Sequence, residues 1–441
     1  MKPLYLFFML AALLPALGPV AAGALTLEEA VATALRNNPH LQQQRLQQQL
    51  TTAADRATRA RDWGRVSLVS SYTHYNKPRT LLPMTPTVMR SDPAAVATTE
   101  DLGTAAIVYE VELFTGFAQT SALRISELQQ QLAATTTRLE REQLIYNVKT
   151  LYMTIIAQQR QRRAQQQYLS ALLRLQQDVR QRVKLGKLAL VDQLKAAADV
   201  EKARASVRAI AANITALRAA LTTVLGGNDP GKLQEAALDE GSISTLEQLP
   251  AAPATLKRLQ RAQLAVEQSR HKRDEAAAVN YPHLVFSGAY GQNFGPNDDS
   301  NVNSGDWKHQ EVWQVGLNLR WQLFDFGGSD ATIRQAALRE RHSRLQQRET
   351  ALQLQQQLAE AQAQINSAAD SYASAVAECK LTAESARIEK LRFDNGAATI
   401  NDLLYAKARD AQAVSRRIAA ACAYRNARFY LDYLLEQGEQ Q

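Results

Sequence analysis

One stretch of this chain occurs twice, 210 positions apart, with no insertion or deletion in either copy. Leu113-Phe114 matches Leu323-Phe324, and the same register pairs Arg124 with Arg334, Leu128 with Leu338 and Gln143 with Gln353. It continues through Arg182 and Arg392, Gly186 and Gly396, Asp192 and Asp402, Leu194 and Leu404, and Arg218 and Arg428, then closes at Leu225 and Leu435. Long helices packed along one another enforce such constancy, because one inserted residue rotates everything after it by about 100°. The chain therefore reads as one structural unit used twice, its halves related by a pseudo-symmetry.

Aromatic residues make up only 6% of the sequence and they cluster, while Gln and Ala are abundant, which points to much helical surface and a limited globular core. The beginning reads as a secretory signal peptide over 1–24. Lys2 precedes an apolar run from Leu4 to Ala24, and the small residues Ala21, Ala22, Gly23 and Ala24 offer cleavage near Ala22 or Ala24. A membrane anchor is the weaker reading, since Pro15 and Pro19 interrupt the run and no basic stop signal follows. No cysteine lies near the cleavage site, so N-terminal lipidation is not expected. The two cysteines, Cys379 and Cys422, fall in helical pattern and read as buried small residues rather than a disulfide. No His-Glu-x-x-His or Cys-x-x-Cys motif is present, so neither a metal site nor a cofactor is expected. The net charge of +8 is spread among acids along helices, as in Arg138-Leu-Glu-Arg-Glu142. That describes a solvated helix face, and no nucleic-acid partner is expected.

Periodicity divides the mature chain into a first repeat over 25–227, an irregular connector over 228–252, a second repeat over 253–436 and a polar tail over 437–441. Thr26-Leu-Glu-Glu29 starts a helix that Asn37-Asn38-Pro39 interrupts. A helix is expected from about 116 to 184, free of Gly and Pro, with a coiled-coil seam through Leu169, Leu172, Gln176, Val179 and Val183. At 1.5 Å per residue it would be about 100 Å long. Gly186 breaks it and a returning helix covers 189–225. The second half repeats this with helices at 254–279 and 329–393, a break at Asn395-Gly396 and a last helix running to about 435. Strands are expected over 65–76, 104–114, 282–292 and 312–324, with long loops over 77–103 and 293–308.

The last of these strands is the most specific signal. Trp313, Val315, Leu317, Leu319, Trp321 and Leu323 alternate with Gln314, Gly316, Asn318, Arg320 and Gln322. In the strand over 104–114, Ile107, Tyr109, Val111 and Leu113 share one face, with Glu110 and Glu112 on the other. This is the pattern of an outer-membrane barrel, with lipid on the apolar side, water on the polar side and aromatic girdles at the interfaces. Tyr109, Trp313, Leu317, Leu319 and Trp321 are then lipid-facing, and Glu110, Glu112 and Arg320 face the lumen. A half-buried strand of a soluble sandwich is the competing reading, but it does not account for Trp at both ends. Four strands cannot close alone, and open edges cannot face lipid, so copies must combine: eight strands as a dimer or twelve as a trimer. An eight-stranded barrel is filled by side chains, which makes a channel a trimer.

These features together resemble the TolC family of outer-membrane factors, the exit ducts of tripartite efflux pumps and type I secretion systems. The resemblance covers nearly the whole mature chain. It rests on Leu25-Thr-Leu-Glu-Glu-Ala30 with Ala34-Leu-Arg-Asn-Asn-Pro39, on Trp321-Gln-Leu-Phe-Asp-Phe-Gly-Gly328, and on two helix tips, Leu185-Gly-Lys-Leu-Ala-Leu-Val-Asp192 and Asn395-Gly-Ala-Ala-Thr-Ile-Asn-Asp402. It implies a mainly α protein with a membrane β-barrel part: a homotrimer with a twelve-stranded β-barrel in the outer membrane of a Gram-negative-type envelope. A long coiled-coil α-helical barrel would extend into the periplasm, with an equatorial belt. The implied partners are a periplasmic adaptor and an inner-membrane transporter of RND or ABC type.

The same resemblance places the periplasmic aperture at the tips, around Gly186, Asp192, Phe393, Gly396, Asp402 and Tyr405. Asp402 aligns with an acidic position lining the closed mouth, where three carboxylates would draw cations. Thr399-Ile-Asn-Asp402 fits a helix capping box equally well. Tyr405 stands where a second acid is common, Phe393 where a Tyr is common and Ala398 where a latch Arg can occur, so a closed state would be held differently here. Gly186 and Gly396 are expected to supply left-handed turns. No nucleophile, acid–base pair or metal constellation is assembled, so the chain is not expected to be an enzyme. The alternative is a secreted periplasmic coiled-coil scaffold, against which the alternating strand argues; a stand-alone porin would not need such long helices.

Overall fold

The structure, a computed structural model, describes residues 24–91, 96–235, 243–246, 255–296 and 306–438. The expected signal peptide (apart from its last residue), most of the connector, much of the loop before the last strand and the end of the tail lie outside these residues. Eight α-helices and four strands are described, with short 3-10 turns at 61–63 and 278–280. They are α1 (Leu27–Asn37), α2 (Pro39–Ala60), β1 (Arg65–Thr80), α3 (Pro86–Ser91), β2 (Thr98–Phe114), α4 (Ala118–Lys184), α5 (Leu190–Val224), α6 (Lys257–Ala277), β3 (His283–Pro296), β4 (Trp307–Arg320), α7 (Gly328–Asp394) and α8 (Ile400–Leu434). The repeat is exact in the helical hairpins: both ends of α4 and α5 lie 210 positions before those of α7 and α8.

The chain divides into two compact units. The first joins residues 1–42, 140–252 and 355–441. Its core gathers Ala30, Ala34, Leu41, Val148, Tyr152, Ile155, Ile156, Leu221 and Leu225. Local chemistry sets the elements around it. Thr26 caps α1 reciprocally with Glu29, each side chain meeting the other's backbone N–H. Asn38 then accepts the Leu41 N–H at 3.1 Å and donates to the Val224 carbonyl at 2.9 Å, tying the α1–α2 junction to the end of α5. The chain turns away there through Gly226 at φ +77°, where a Cβ would lie 2.3 Å from the Asn37 carbonyl oxygen.

The connector is less irregular than its composition suggests. Leu25 donates to the Lys232 carbonyl at 2.7 Å and accepts from Gln234 at 2.9 Å, making a parallel bridge with Leu233. The fully buried Tyr152 hydroxyl lies 2.8 Å from the carbonyls of Leu25 and Gln234. Burial pushes that phenol up to about 12, so it stays protonated and able to donate. Cys379 is half-buried and Cys422 buried, and both are free thiols.

The second unit joins residues 43–139 and 253–354 and contains the whole sheet. Its strands run in sequence order, β1-β2-β3-β4, all antiparallel. Helical segments of this unit are tied by buried charge: Glu340, 4% exposed, pairs with Arg273 at 2.8 Å and with Arg344. Asp55 is held by Arg59 at 2.9 Å and by the Ser126 hydroxyl at 2.8 Å.

The strands differ from expectation at their ends. β1 runs to Thr80 and β2 begins at Thr98, so both ends of the loop expected over 77–103 are strand, and α3 lies between them. β3 extends to Pro296. β4 begins at Trp307 and ends at Arg320, which places Trp321 and Leu323 beyond the ladder. The reason is that backbone pairing continues where side-chain alternation fades: Lys308, His309, Gln310 and Glu311 pair with Gly295, Phe294, Asn293 and Gln292.

Candidate functional site: an open apolar sheet and two helix tips

Away from the irregularities at 75–78 and Leu113, register assigns the strand residues to faces. Val66 lies opposite Tyr109, Tyr109 opposite Gly288 and Gly288 opposite Val315. The neighbouring row is Leu68, Ile107, Tyr290 and Trp313, and further along Val111, Phe286 and Leu317 align, as do Leu284 and Leu319. This face is apolar and bare: Leu68, Trp313, Leu317 and Leu319 are each more than 60% exposed. The other face carries Arg65, Glu110 and Ser287 in one row, Glu112, Val285 and Asn318 in another, and His283 beside Arg320. Arg65 and Glu110 pair at 2.7 Å, and Asn318 donates to the Ser287 hydroxyl at 3.3 Å.

Glu110, Glu112 and Arg320 thus share the polar face, and Tyr109, Trp313, Leu317 and Leu319 the apolar one. The Tyr109 hydroxyl donates to the Trp63 carbonyl at 3.0 Å. Trp321 lies just past the end of the strand, exposed, and donates its Nε1–H to the Asn280 carbonyl at 3.1 Å. Neither β1 nor β4 has a partner on its outer side among the described residues. A sheet with two open edges and an uncovered apolar face is incomplete in water.

At the tips the repeat gives two turns of the same construction. Gly186 and Gly396 take φ +70° and +75°. In each, the residue after the glycine donates back five positions, Lys187 to Arg182 at 2.8 Å and Ala397 to Arg392 at 2.7 Å, the Schellman pattern. The helices that follow begin differently. Thr399 and Asp402 form a reciprocal cap on α8, whereas the N-cap residue of α5, Ala189, makes no side-chain cap, leaving the carboxylate of Asp192 without that role. The Thr399 hydroxyl and N–H both meet one oxygen of Asp402, at 2.7 and 3.0 Å, and these bonds, the hydroxyl foremost, lower the Asp402 pKa below the usual carboxylate range.

Asp402 and Tyr405 are exposed and line, with Glu378, Leu381, Glu389 and Arg409, an open groove between α7 and α8. Phe393 does not join them. It is 3% exposed, packed with Leu172, Val179, Val200, Ile400, Leu403 and Leu404 in the core that unites the four tip helices. An aromatic ring without a polar handle is more stable there than at a wet aperture.

The residue that sequence reasoning missed is Arg182. Its guanidinium lies 4.9 Å from the centre of the Phe393 ring, 3.1 Å from Asp178 and 3.3 Å from Asp394, and so bridges the end of α4 to the end of α7. Its signal was available: Arg182 and Arg392 match in the repeat, each four residues before the turn glycine. Among the described residues, no group of three or more His, Cys, Asp or Glu is placed to hold a metal ion, and no helix is long and apolar enough to cross a membrane.

Comparison with known proteins matches these features. The family model described as "Outer membrane efflux protein" covers residues 30–227 and 251–435. Among solved structures, a membrane protein from Pseudomonas aeruginosa superposes with a TM-score of 0.76 at 19% identity, covering 93% of each chain. The Campylobacter jejuni CmeC outer membrane channel gives 0.77 at 15%, covering 93% of this chain and 86% of that one. The outer membrane protein VceC from Vibrio cholerae gives 0.74 at 14%, covering 93% and 96%. No curated protein matches the chain in sequence. With both repeats matched by the family model, the chain belongs to the outer membrane efflux protein family, whose TolC-like channels its sequence resembles.

Proposed function

We propose that three copies close their sheets edge to edge into a twelve-stranded barrel, forming the passive outer-membrane exit duct of a tripartite efflux pump or a type I secretion system. The observation that carries this reading is the four-stranded sheet, with both edges open and its apolar face bare. Pairing β4 of one copy with β1 of the next satisfies both edges, and lipid then covers Leu68, Trp313, Leu317 and Leu319. Arg65, Glu110, Glu112 and Arg320 line the water-filled lumen. Three sheets rather than two leave that lumen open.

The tips supply a second argument. Positions related by the repeat are buried in one copy and bare in the other. Ile400 and Leu404 are 3% and 6% exposed, while their counterparts Leu190 and Leu194 are 63% and 61% exposed. In a ring, the neighbouring copy covers the second pair much as this chain covers the first. The mouth then lies at the turns, with Gly186 and Gly396 offering side-chain-free backbone to a periplasmic adaptor and the exposed carboxylates of Asp402 setting its charge. The cargo, small molecules or protein, is selected at an inner-membrane transporter of RND or ABC type. Mass measurement in detergent and conductance in planar bilayers test the assembly. A trimer with stable open-channel currents is expected; a stable monomer with folded strands refutes it.

A further inference from the structure

We propose that Glu112, His283 and Arg320 form a binding site for a small zwitterionic solute on the polar face of the sheet, its carboxylate taken by Arg320 and His283 and its ammonium by Glu112. The inference rests on the reading of that face as the lumen of a duct and adds to it a place where a solute pauses. On that face charge collects at the end where the strands meet the helices. Arg65, Glu110 and Glu112 lie in the rows there, and His283 stands opposite Arg320. The next rows along the same face, up to Ser71, Thr104, Asn293 and Gln310, hold no charged side chain.

The repeat shows what is unusual at this level. Glu110 and Arg320 are counterparts in the repeat, so one copy of the unit carries a carboxylate where the other carries a guanidinium. Their cross-strand partners are Arg65 and His283. In the first copy the pair neutralises itself, Arg65 meeting Glu110 at 2.7 Å. In the second copy the same place holds two nitrogen bases and no acid. A guanidinium presents its N–H donors in a fixed fork that a carboxylate meets with two parallel hydrogen bonds, and an imidazole beside it can donate one more. The place of the missing carboxylate is open to one that arrives from outside.

A well of about 370 Å³ opens at this place, and Glu112, His283, Arg320 and Gln322 are among the residues lining it. Its charged groups are not occupied by the protein. Among the described residues Glu112, His283 and Arg320 make no ion pair and no side-chain hydrogen bond. Glu112 also borders the adjoining well that holds Arg61 and the Arg65–Glu110 pair, and it bonds to none of these. Glu112 stands in the row of Val285 and Asn318, one row from Arg320, with β3 between them. At about 4.8 Å between strands and about 6.7 Å between alternate residues, the Cα atoms of Glu112 and Arg320 lie roughly 12 Å apart. That spacing keeps the two charges from meeting and leaves room between them for a molecule a few bonds long. An acid and a guanidinium held apart in one well complement a solute carrying both signs, since a pure anion or a pure cation leaves one of them unmatched. Weak binding suits a duct, where a solute must be held firmly enough to enter and loosely enough to leave.

The test reconstitutes the full-length protein in planar bilayers and adds three solutes in turn. Triglycine carries an ammonium and a carboxylate, N-acetyltriglycine keeps only the carboxylate, and triglycine amide keeps only the ammonium. Reduction of the single-channel current gives a half-blocking concentration for each. Triglycine is expected to block at a concentration about tenfold lower than either derivative, the effect of one hydrogen bond to a charged group. Arg320→Gln should weaken block by triglycine and N-acetyltriglycine about tenfold and leave the amide unchanged. Glu112→Gln should weaken block by triglycine and the amide and leave N-acetyltriglycine unchanged. Equal block by all three solutes, or block that neither substitution alters, makes these side chains an ordinary solvated wall and overturns the site. Block by N-acetyltriglycine as strong as that by triglycine, with Glu112→Gln silent, leaves a plain anion site and overturns the zwitterion assignment. The same titrations on detergent-solubilised protein, followed by saturation-transfer NMR, do not depend on a channel. Absent channel currents with the expected solute pattern in detergent overturn the duct reading and keep the site, whereas channel currents without that pattern overturn the site and keep the duct.

Discussion

In the proposed duct Asp402 holds two roles, cap and mouth charge, that one hydroxyl can separate. Its cap on α8 needs Thr399, but a charge at the mouth needs only the carboxylate. Thr399→Ala is expected to cost about 1 kcal/mol through the lost cap while leaving cation preference in single-channel recordings unchanged. Asp402→Ala should reduce both stability and cation preference. Equal losses of selectivity in the two variants would show that helix-end order, not charge, controls permeation. The pH dependence follows from the direction of the shift. The folded pKa of Asp402 is lowered, chiefly by the Thr399 hydroxyl, so its contribution is complete above the ordinary carboxylate value of about 4 and is lost as pH falls through the folded value. The Asp402→Ala deficit in thermal stability should therefore shrink on acidification. A cap of this kind is legible in sequence because its partners are three residues apart. The burial of Phe393 is not, because Leu172, Val200 and Leu404 reach it from three other helices.

At the scale of elements, legibility followed the source of the order. The long helices were readable to within about two residues, since an unbroken stretch without Gly or Pro and a fixed repeat offset leave little freedom. Strand alternation was readable wherever one face was apolar, as from Trp313 to Leu319. It failed from Trp307 to Glu311 and at Lys232–Gln234, where backbone groups pair whatever the side chains are. The sheet tests its own faces. Leu317→Arg sets a charge on the apolar face and should cost about 2–4 kcal/mol in a bilayer near the midplane, with Asn318→Arg costing much less. Reversible unfolding from vesicles measures both, and equal losses would contradict the assigned alternation.

For the molecule as a whole, duplication supplies two hairpins alike in backbone and unlike in surface. Residues 400 and 404 are spent inside the chain, joining α8 to Leu172 and Val179 of α4 and Val200 of α5. The same positions in the first copy, Leu190 and Leu194, remain bare. A monomer has no use for this difference, but a closed ring requires it. Each interface inside a chain is then imitated by one between chains, so identical copies can complete a circle of alternating hairpins. The two surfaces should respond differently to the same change. Leu404→Asp puts a charge into the tip core of a single chain and should destabilise that chain by at least about 3 kcal/mol, as core truncations do. Leu194→Asp should leave the chain folded, because the side chain is already exposed, but should shift trimers toward monomers on dilution in detergent. Circular dichroism reports the first effect and mass measurement across a dilution series the second. If Leu194→Asp leaves the mass distribution unchanged while abolishing export by the assembled pump, the bare face of α5 receives another protein instead of a second copy, and the ring must close through the sheet alone.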